Sequence, residues 1–119
     1  MTKINIIGAG LAGSEAALYL APLGYDINLF EMRPKIDTTV HKTDNFGELV
    51  CSNSLGSLDK ESASGLLKHE ALTLGSNLFK IALNNKVPSG NSLSVAREDF
   101  AQEITNKIII KQKYFINFF

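Results

Sequence analysis

Hydrophobic and polar positions along the chain separate into short apolar runs and longer amphipathic stretches. Lys3-Ile4-Asn5-Ile6-Ile7 is short, β-branched and apolar, and it predicts a buried parallel strand. Ser14 to Leu23 is rich in Ala and Leu and predicts a helix, with Pro22 in a frayed last turn and Gly24 just beyond its end. Asp26-Ile27-Asn28-Leu29-Phe30 predicts a second strand, and Lys35 to Asn45, almost without apolar residues, predicts a loop. Ser62 to Ala82 predicts a helical region in which Leu67, Ala71, Leu74, Leu78 and Ile81 share one face, with Gly65 and Gly75 as the points where it would divide. Its charges, Lys68, His69, Glu70 and Lys80, are assigned to the wet face. Val87 to Gly90 predicts a turn and Asn91 to Val95 a strand with Leu93 and Val95 inward. A last helix opens at Arg97, with Glu98 and Asp99 in its first turn, and runs to about Lys107.

The junction between the first strand and the first helix reads Gly8-Ala9-Gly10-Leu11-Ala12-Gly13. In a strand–turn–helix context each glycine has a separate task. Gly8 permits the tight turn, Gly10 lets the backbone approach a pyrophosphate, and Gly13 lets the helix pack against the strand. The helix N-terminus then presents free N–H groups and a partial positive charge to the phosphates. The second strand ends in Glu31, 18 residues beyond Gly13, close to the ~20 expected of a carboxylate that binds a ribose hydroxyl. An acid there favours an unphosphorylated ribose, hence FAD or NAD over NADP. Arg33, two residues on, is in reach of a 2′-phosphate but is read first as a solvated charge. Together these features predict an α/β fold: the N-terminal portion of a Rossmann-like domain with a parallel sheet and a βαβ unit, incomplete in this chain.

The bulk properties narrow the class. With 119 residues the chain suits one small domain. Twelve basic and twelve acidic residues give no net charge, so there is no overall electrostatic signature of nucleic-acid binding. One cysteine forms no internal disulfide, which fits a reducing cytosol and predicts a cytoplasmic protein. The N-terminus lacks the pattern of a signal peptide, and no stretch approaches the ~20 apolar residues of a membrane span. No metal site is predicted.

A second informative stretch is Phe46-Gly47-Glu48-Leu49-Val50-Cys51-Ser52-Asn53-Ser54-Leu55. It sets an acid, a thiol, two hydroxyls and an amide among apolar residues, a mixture that secondary structure does not require. On composition alone Cys51 reads as a small buried hydrophobe. His41, in the preceding loop, reads as a solvated side chain.

These residues resemble the opening of the folate- and FAD-dependent tRNA (uracil-5-)-methyltransferases, often called TrmFO, which are related to the GidA-class flavoproteins. The resemblance is carried by Ile6 to Ala17, by Leu29-Phe30-Glu31-Met32-Arg33-Pro34 and, most specifically, by Glu48 to Leu55. Gly65-Leu66-Leu67-Lys68 with Glu70, and Val87-Pro88 with Leu93 to Phe100, also fit. The resemblance implies an enzyme that methylates C5 of uridine 54 in the tRNA T loop. Methylenetetrahydrofolate would supply the carbon and NAD(P)H would reduce the flavin. It implies FAD contacts at Gly8, Ala9, Gly10, Leu11, Ala12, Gly13, Glu31, Arg33 and Arg97, and it moves Cys51 to the site, in a supporting role beside the flavin. Another important cysteine of the family lies further along than Phe119.

Family members are several times longer, and their folate- and tRNA-binding parts have no counterpart here. Residues 1–107 are therefore read as a partial dinucleotide-binding domain. Residues 108–119 are read as an aberrant tail, as a truncation or frameshift would leave, whose Tyr114 to Phe119 would form an unpaired strand-like end. A fragment of this kind is expected to be inactive by itself. The alternatives are a stand-alone FAD- or NAD-binding module and another GidA-class tRNA-modifying flavoprotein.

Overall fold

The computed structural model describes residues 2–110 and 114–119; Lys111, Gln112 and Lys113 of the tail lie outside them. In chain order the elements are β1 (Lys3–Ile7), α1 (Leu11–Leu20), a 3-10 turn (Ala21–Leu23), β2 (Asp26–Glu31), β3 (Ser54–Ser57), α2 (Ala63–Thr73), α3 (Asn77–Asn84), β4 (Lys86–Val87), β5 (Ser92–Val95), α4 (Arg97–Ile109) and β6 (Tyr114–Phe118).

Two three-stranded sheets organise them. One is parallel, in the order β1-β2-β6, and the other is antiparallel, in the order β3-β5-β4. In the parallel sheet Ile4 lies opposite Ile27 and Ile6 opposite Leu29, while Ile27 faces Tyr114 and Leu29 faces Ile116 on the other side. The central strand β2 buries Ile27 and Leu29 completely. Ala17 and Leu18 of α1, Phe100, Ile104 and Ile108 of α4, and Phe46 from the connecting loop join them in one core. The fold is thus α/β, with β1, α1 and β2 forming the expected Rossmann-like βαβ unit.

Several expectations need correction. Helix α1 begins at Leu11, three residues earlier than the apolar pattern suggested, because Gly10 already serves as its N-cap. It ends at Leu20, and Pro22 sits in the separate 3-10 turn, where its missing N–H breaks no α-helical bond. Gly24 then closes the turn at φ +96°. Strand β1 is not buried on both faces: among the described residues it has only one neighbour, so Ile4 and Ile6 are half-buried and Ile7 is exposed.

The helical region divides at Gly75, whose φ of +92° favours glycine. The division breaks the single apolar face. Leu78 and Ile81 of α3 enter the core, whereas Leu67 and Leu74 are exposed, Leu74 by 75%. Lys68 is covered rather than wet. Its Nζ donates to the Ser64 carbonyl at 3.0 Å and to the Ser64 hydroxyl, and burial lowers its pKa.

The tail also differs from its reading. Ile108 is fully buried in α4 and β6 has a partner, pairing in parallel with β2 over Tyr114 to Phe118. The Tyr114 hydroxyl donates to the Ala17 carbonyl at 3.3 Å, tying the strand to α1.

Candidate dinucleotide site

The site is assembled at the carboxyl ends of β1 and β2. Gly8 leaves β1 at φ +93°, a conformation that a side chain disfavours, and its N–H donates to the Phe30 carbonyl at 2.7 Å. Gly13 stands against this turn. A Cβ placed on it would lie 1.8 Å from the Gly8 carbonyl oxygen, so only glycine lets α1 rest on the loop at this distance. Gly10 is different: a Cβ there would meet nothing within 4 Å. No packing among the described residues requires glycine at this position, and the open space is what an approaching phosphate would use.

Gly10 caps α1 without a side-chain hydrogen bond, and among the described residues no side chain accepts from the first N–H groups of the helix, at Leu11, Ala12 and Gly13. Ala9 is buried between the glycines, and its carbonyl accepts from the Ser14 hydroxyl at 3.1 Å and from the Gly47 N–H at 2.8 Å. The second contact lays the Phe46–Leu55 segment against the glycine loop.

Glu31 faces this loop from the end of β2. One carboxylate oxygen accepts the Ala9 N–H at 2.9 Å; the other accepts the Arg33 N–H at 3.0 Å and its Nε at 3.3 Å. Burial raises the pKa of this acid, but the hydrogen bonds from Arg33 and Ala9 and the Arg33 charge outweigh it, so the pKa is lowered and the carboxylate stays ionised. The oxygen bound to Ala9 keeps a lone pair for a further donor such as a ribose hydroxyl.

Arg33 is the clearest departure from expectation. Rather than a solvated charge, it is 3% exposed and joins Glu31 to Glu48. Glu48 in turn accepts the N–H groups of Lys42 and Thr43, folding the 35–45 loop back on itself. The acid was visible in the sequence as part of its motif. Its partner was not, because nothing in spacing alone pairs residues 33 and 48.

Glu15 was also missed as a structural residue. From α1 it caps the N-terminus of α3, accepting from the Ser76 hydroxyl at 2.6 Å, the Asn77 N–H at 2.8 Å and the Leu78 N–H at 2.9 Å. Burial raises its pKa, and these bonds bring it below the ordinary value. It borders an apolar cavity of about 530 Å³ lined by Leu11, Tyr19, Leu74, Leu78 and Phe100. This cavity shares Leu11 and Ala12 with the glycine loop but includes neither Gly10 nor Glu31.

The remaining candidates make no side-chain hydrogen bond to the glycine loop among the described residues. Cys51 is a free, exposed thiol, which overturns the reading of a buried hydrophobe. Arg97 is half-buried at the start of α4, and its side chain makes no hydrogen bond or ion pair among the described residues. Both lie within two residues of one tie, in which the Val95 N–H donates to the Asn53 carbonyl at 2.9 Å and the Asn53 side chain donates back to the Val95 carbonyl. His41 packs its Nδ1 against the Thr38 hydroxyl beside a polar hollow of about 250 Å³ that Arg33 also lines. Among the described residues, no group of three or more His, Cys, Asp or Glu side chains is placed to hold a metal ion, and no helix is long and apolar enough to cross a membrane.

A glycine loop with open space at its middle glycine, an uncapped helix end and an ionised acid on the next strand define a Rossmann-like dinucleotide-binding unit. The sequence model of the glucose inhibited division protein A family matches residues 3–116, across nearly all of these elements, and the chain belongs to that family. It is 50% identical over 108 residues to a methylenetetrahydrofolate–tRNA-(uracil-5-)-methyltransferase TrmFO of Carboxydothermus hydrogenoformans, covering 91% of this chain and 25% of that protein. A protein of the same name from Acholeplasma laidlawii is 55% identical over 105 residues, covering 88% and 25%. The chain therefore spans about a quarter of the length of these relatives. Among solved structures, tetracycline destructase Tet(51) shares the fold with a TM-score of 0.52 at 19% identity, over 99% of this chain and 29% of its own.

Proposed function

We propose that this chain forms the ADP-binding end of the FAD site in a tRNA (uracil-5-)-methyltransferase, and that the intact enzyme takes its carbon from methylenetetrahydrofolate and its electrons from NAD(P)H. The observation that carries the reading is the pairing of Gly10, open to a ligand, with the Glu31 carboxylate held beside it by Ala9. The names of the relatives support the tRNA substrate and the folate donor.

In this reading the Leu11, Ala12 and Gly13 N–H groups hold the pyrophosphate and Glu31 accepts from the adenosine ribose. The flavin, when bound, supplies the reducing equivalents that turn a transferred methylene into a methyl group. Arg97 and Cys51 are assigned to the cofactor side of the segment tied by Asn53 and Val95, with Cys51 in a supporting role. An exposed thiol is chemically free for that role. Contacts to the tRNA and the folate fall to the sequence by which the relatives exceed this one. The 119 residues by themselves therefore transfer no methyl group. A tRNA substrate and a soluble folate donor support a cytoplasmic setting for the reaction.

The test is a chimera in which residues 1–107 replace the matching segment of the Carboxydothermus hydrogenoformans relative. Label from methylenetetrahydrofolate should appear in tRNA, and Cys51→Ala in the chimera should reduce it. A chimera that folds and retains FAD but transfers no label would contradict the reading.

A further inference from the structure

Arg33 has the position of a 2′-phosphate receptor and a different job. It lies two residues beyond the ribose acid, where an arginine would meet a phosphorylated ribose. Its guanidinium, however, is already committed. Nε donates to Glu31, Nη1 donates to the Thr43 carbonyl at 2.9 Å and to Glu48 at 3.0 Å, and Nη2 donates to the Asn45 carbonyl at 3.1 Å. Four of the five N–H donors of an arginine are thus in use inside the protein. The two carboxylates also outnumber the one guanidinium, so a dianionic 2′-phosphate arriving here would meet an excess of negative charge.

The same contacts join two parts of the chain that sequence separates. Glu48, from the Cys51-bearing motif, holds the Lys42 and Thr43 amides; through Arg33 that folded loop presses on Glu31, and Glu31 reaches the Ala9 amide in the glycine loop. On the dinucleotide reading above, we propose that Arg33 is a positioning residue that fixes the Glu31 carboxylate for an unphosphorylated ribose and couples it to the Glu48 loop. Glu48 then acts on the ribose site at second hand, without touching the ligand. This gives the acid of the motif a task distinct from that of its thiol.

The 119-residue chain can test this with ADP-ribose and 2′-phospho-ADP-ribose as probes, alongside amide hydrogen exchange at Ala9, Lys42 and Thr43. Arg33→Met should speed exchange at all three amides and weaken ADP-ribose binding about tenfold, the scale of a lost charge-assisted hydrogen bond. It should not weaken the 2′-phosphorylated probe more than the unphosphorylated one. Arg33→Lys should recover part of the ADP-ribose affinity through its charge near Glu31. Glu48→Gln should weaken ADP-ribose binding a fewfold, and it decides the matter if Arg33→Met does not fold.

Selective loss of the 2′-phosphorylated probe in the Arg33 variants would make Arg33 a phosphate receptor and overturn the proposal. So would unchanged ADP-ribose affinity together with unchanged Ala9 exchange. If the unsubstituted chain binds neither probe, the dinucleotide reading fails; the exchange arm then judges the coupling alone, supported by faster Ala9 exchange in Arg33→Lys and Glu48→Gln and overturned by its absence.

Discussion

The Glu31 carboxylate accepts the Ala9 N–H at 2.9 Å, joining the end of β2 to the middle of the glycine loop. This contact gives one side chain two duties. It satisfies a buried backbone donor in the folded chain, and it stands where a ribose would be read.

The first duty makes Glu31 a stability residue. Glu31→Ala leaves the Ala9 N–H unpaired and removes one of the two carboxylates beside the buried Arg33. Breaking such a pair costs about 3 kcal/mol. Urea unfolding should register that loss, and a change below about 1 kcal/mol would mean that the network carries little of the fold.

The glycines should separate by function. Gly13→Ala forces a methyl group against the Gly8 carbonyl and should destabilise the chain by about 3 kcal/mol or more, at the upper end of overpacking costs. Gly10→Ala meets open space and should cost only about 1 kcal/mol, the penalty of a poorer N-cap. It should nonetheless abolish ADP-ribose binding. Thermal unfolding and ligand titration on the two variants check the division, and equal effects on both properties would contradict it.

Acid should destabilise the chain through Glu15 and Glu31. Glu15 and Glu31 both have folded pKa values below the ordinary 4.5. For a depressed carboxylate the stabilisation is present above the unfolded pKa and disappears as pH falls through the folded one. Stability measured in urea should therefore decline as pH drops below about 4.5. Glu15→Gln and Glu31→Gln should each flatten that decline.

At the alkaline end the relevant group is Tyr114, whose pKa burial pushes up to about 12. A phenol with a raised folded pKa stabilises the fold below its unfolded value of 10.0 and loses that contribution as pH rises toward 12. Absorbance near 295 nm should show one of the three tyrosines ionising late, and Tyr114→Phe should remove that step. An early and complete titration would mean that β6 is not docked on β2 and α1.

Much of this was legible in the sequence, and the reasons differ by region. The glycine loop and Glu31 are readable because their spacing follows from local geometry: one strand, one turn, one helix and the next strand. Helix α4 is readable because Glu98 and Asp99 mark its start and Phe100, Ile104 and Ile108 repeat along one face. The exposure of Leu67 and Leu74 was not readable, since the positive φ at Gly75 separates α2 from α3 and breaks a periodicity that looks continuous on paper. Arg33 and Lys68 were assigned to solvent because charges usually lie there. Their burial depends on Glu48 and Ser64, partners brought close by tertiary folding in one case and by a helical turn in the other. The pairing of β6 with β2 spans more than eighty residues, and no local pattern in Tyr114 to Phe118 specifies it.

We propose that the glycine loop and Glu31 together receive the ADP half of a dinucleotide. The most direct test of this claim is to titrate the ¹⁵N-labelled chain with ADP-ribose and follow the backbone amide resonances. Saturable shifts concentrated at Ala9 to Gly13 and at Glu31, abolished by Gly10→Ala, are the predicted result. No saturable shift, or shifts confined to residues lining the apolar cavity such as Tyr19 and Leu74, would contradict the claim.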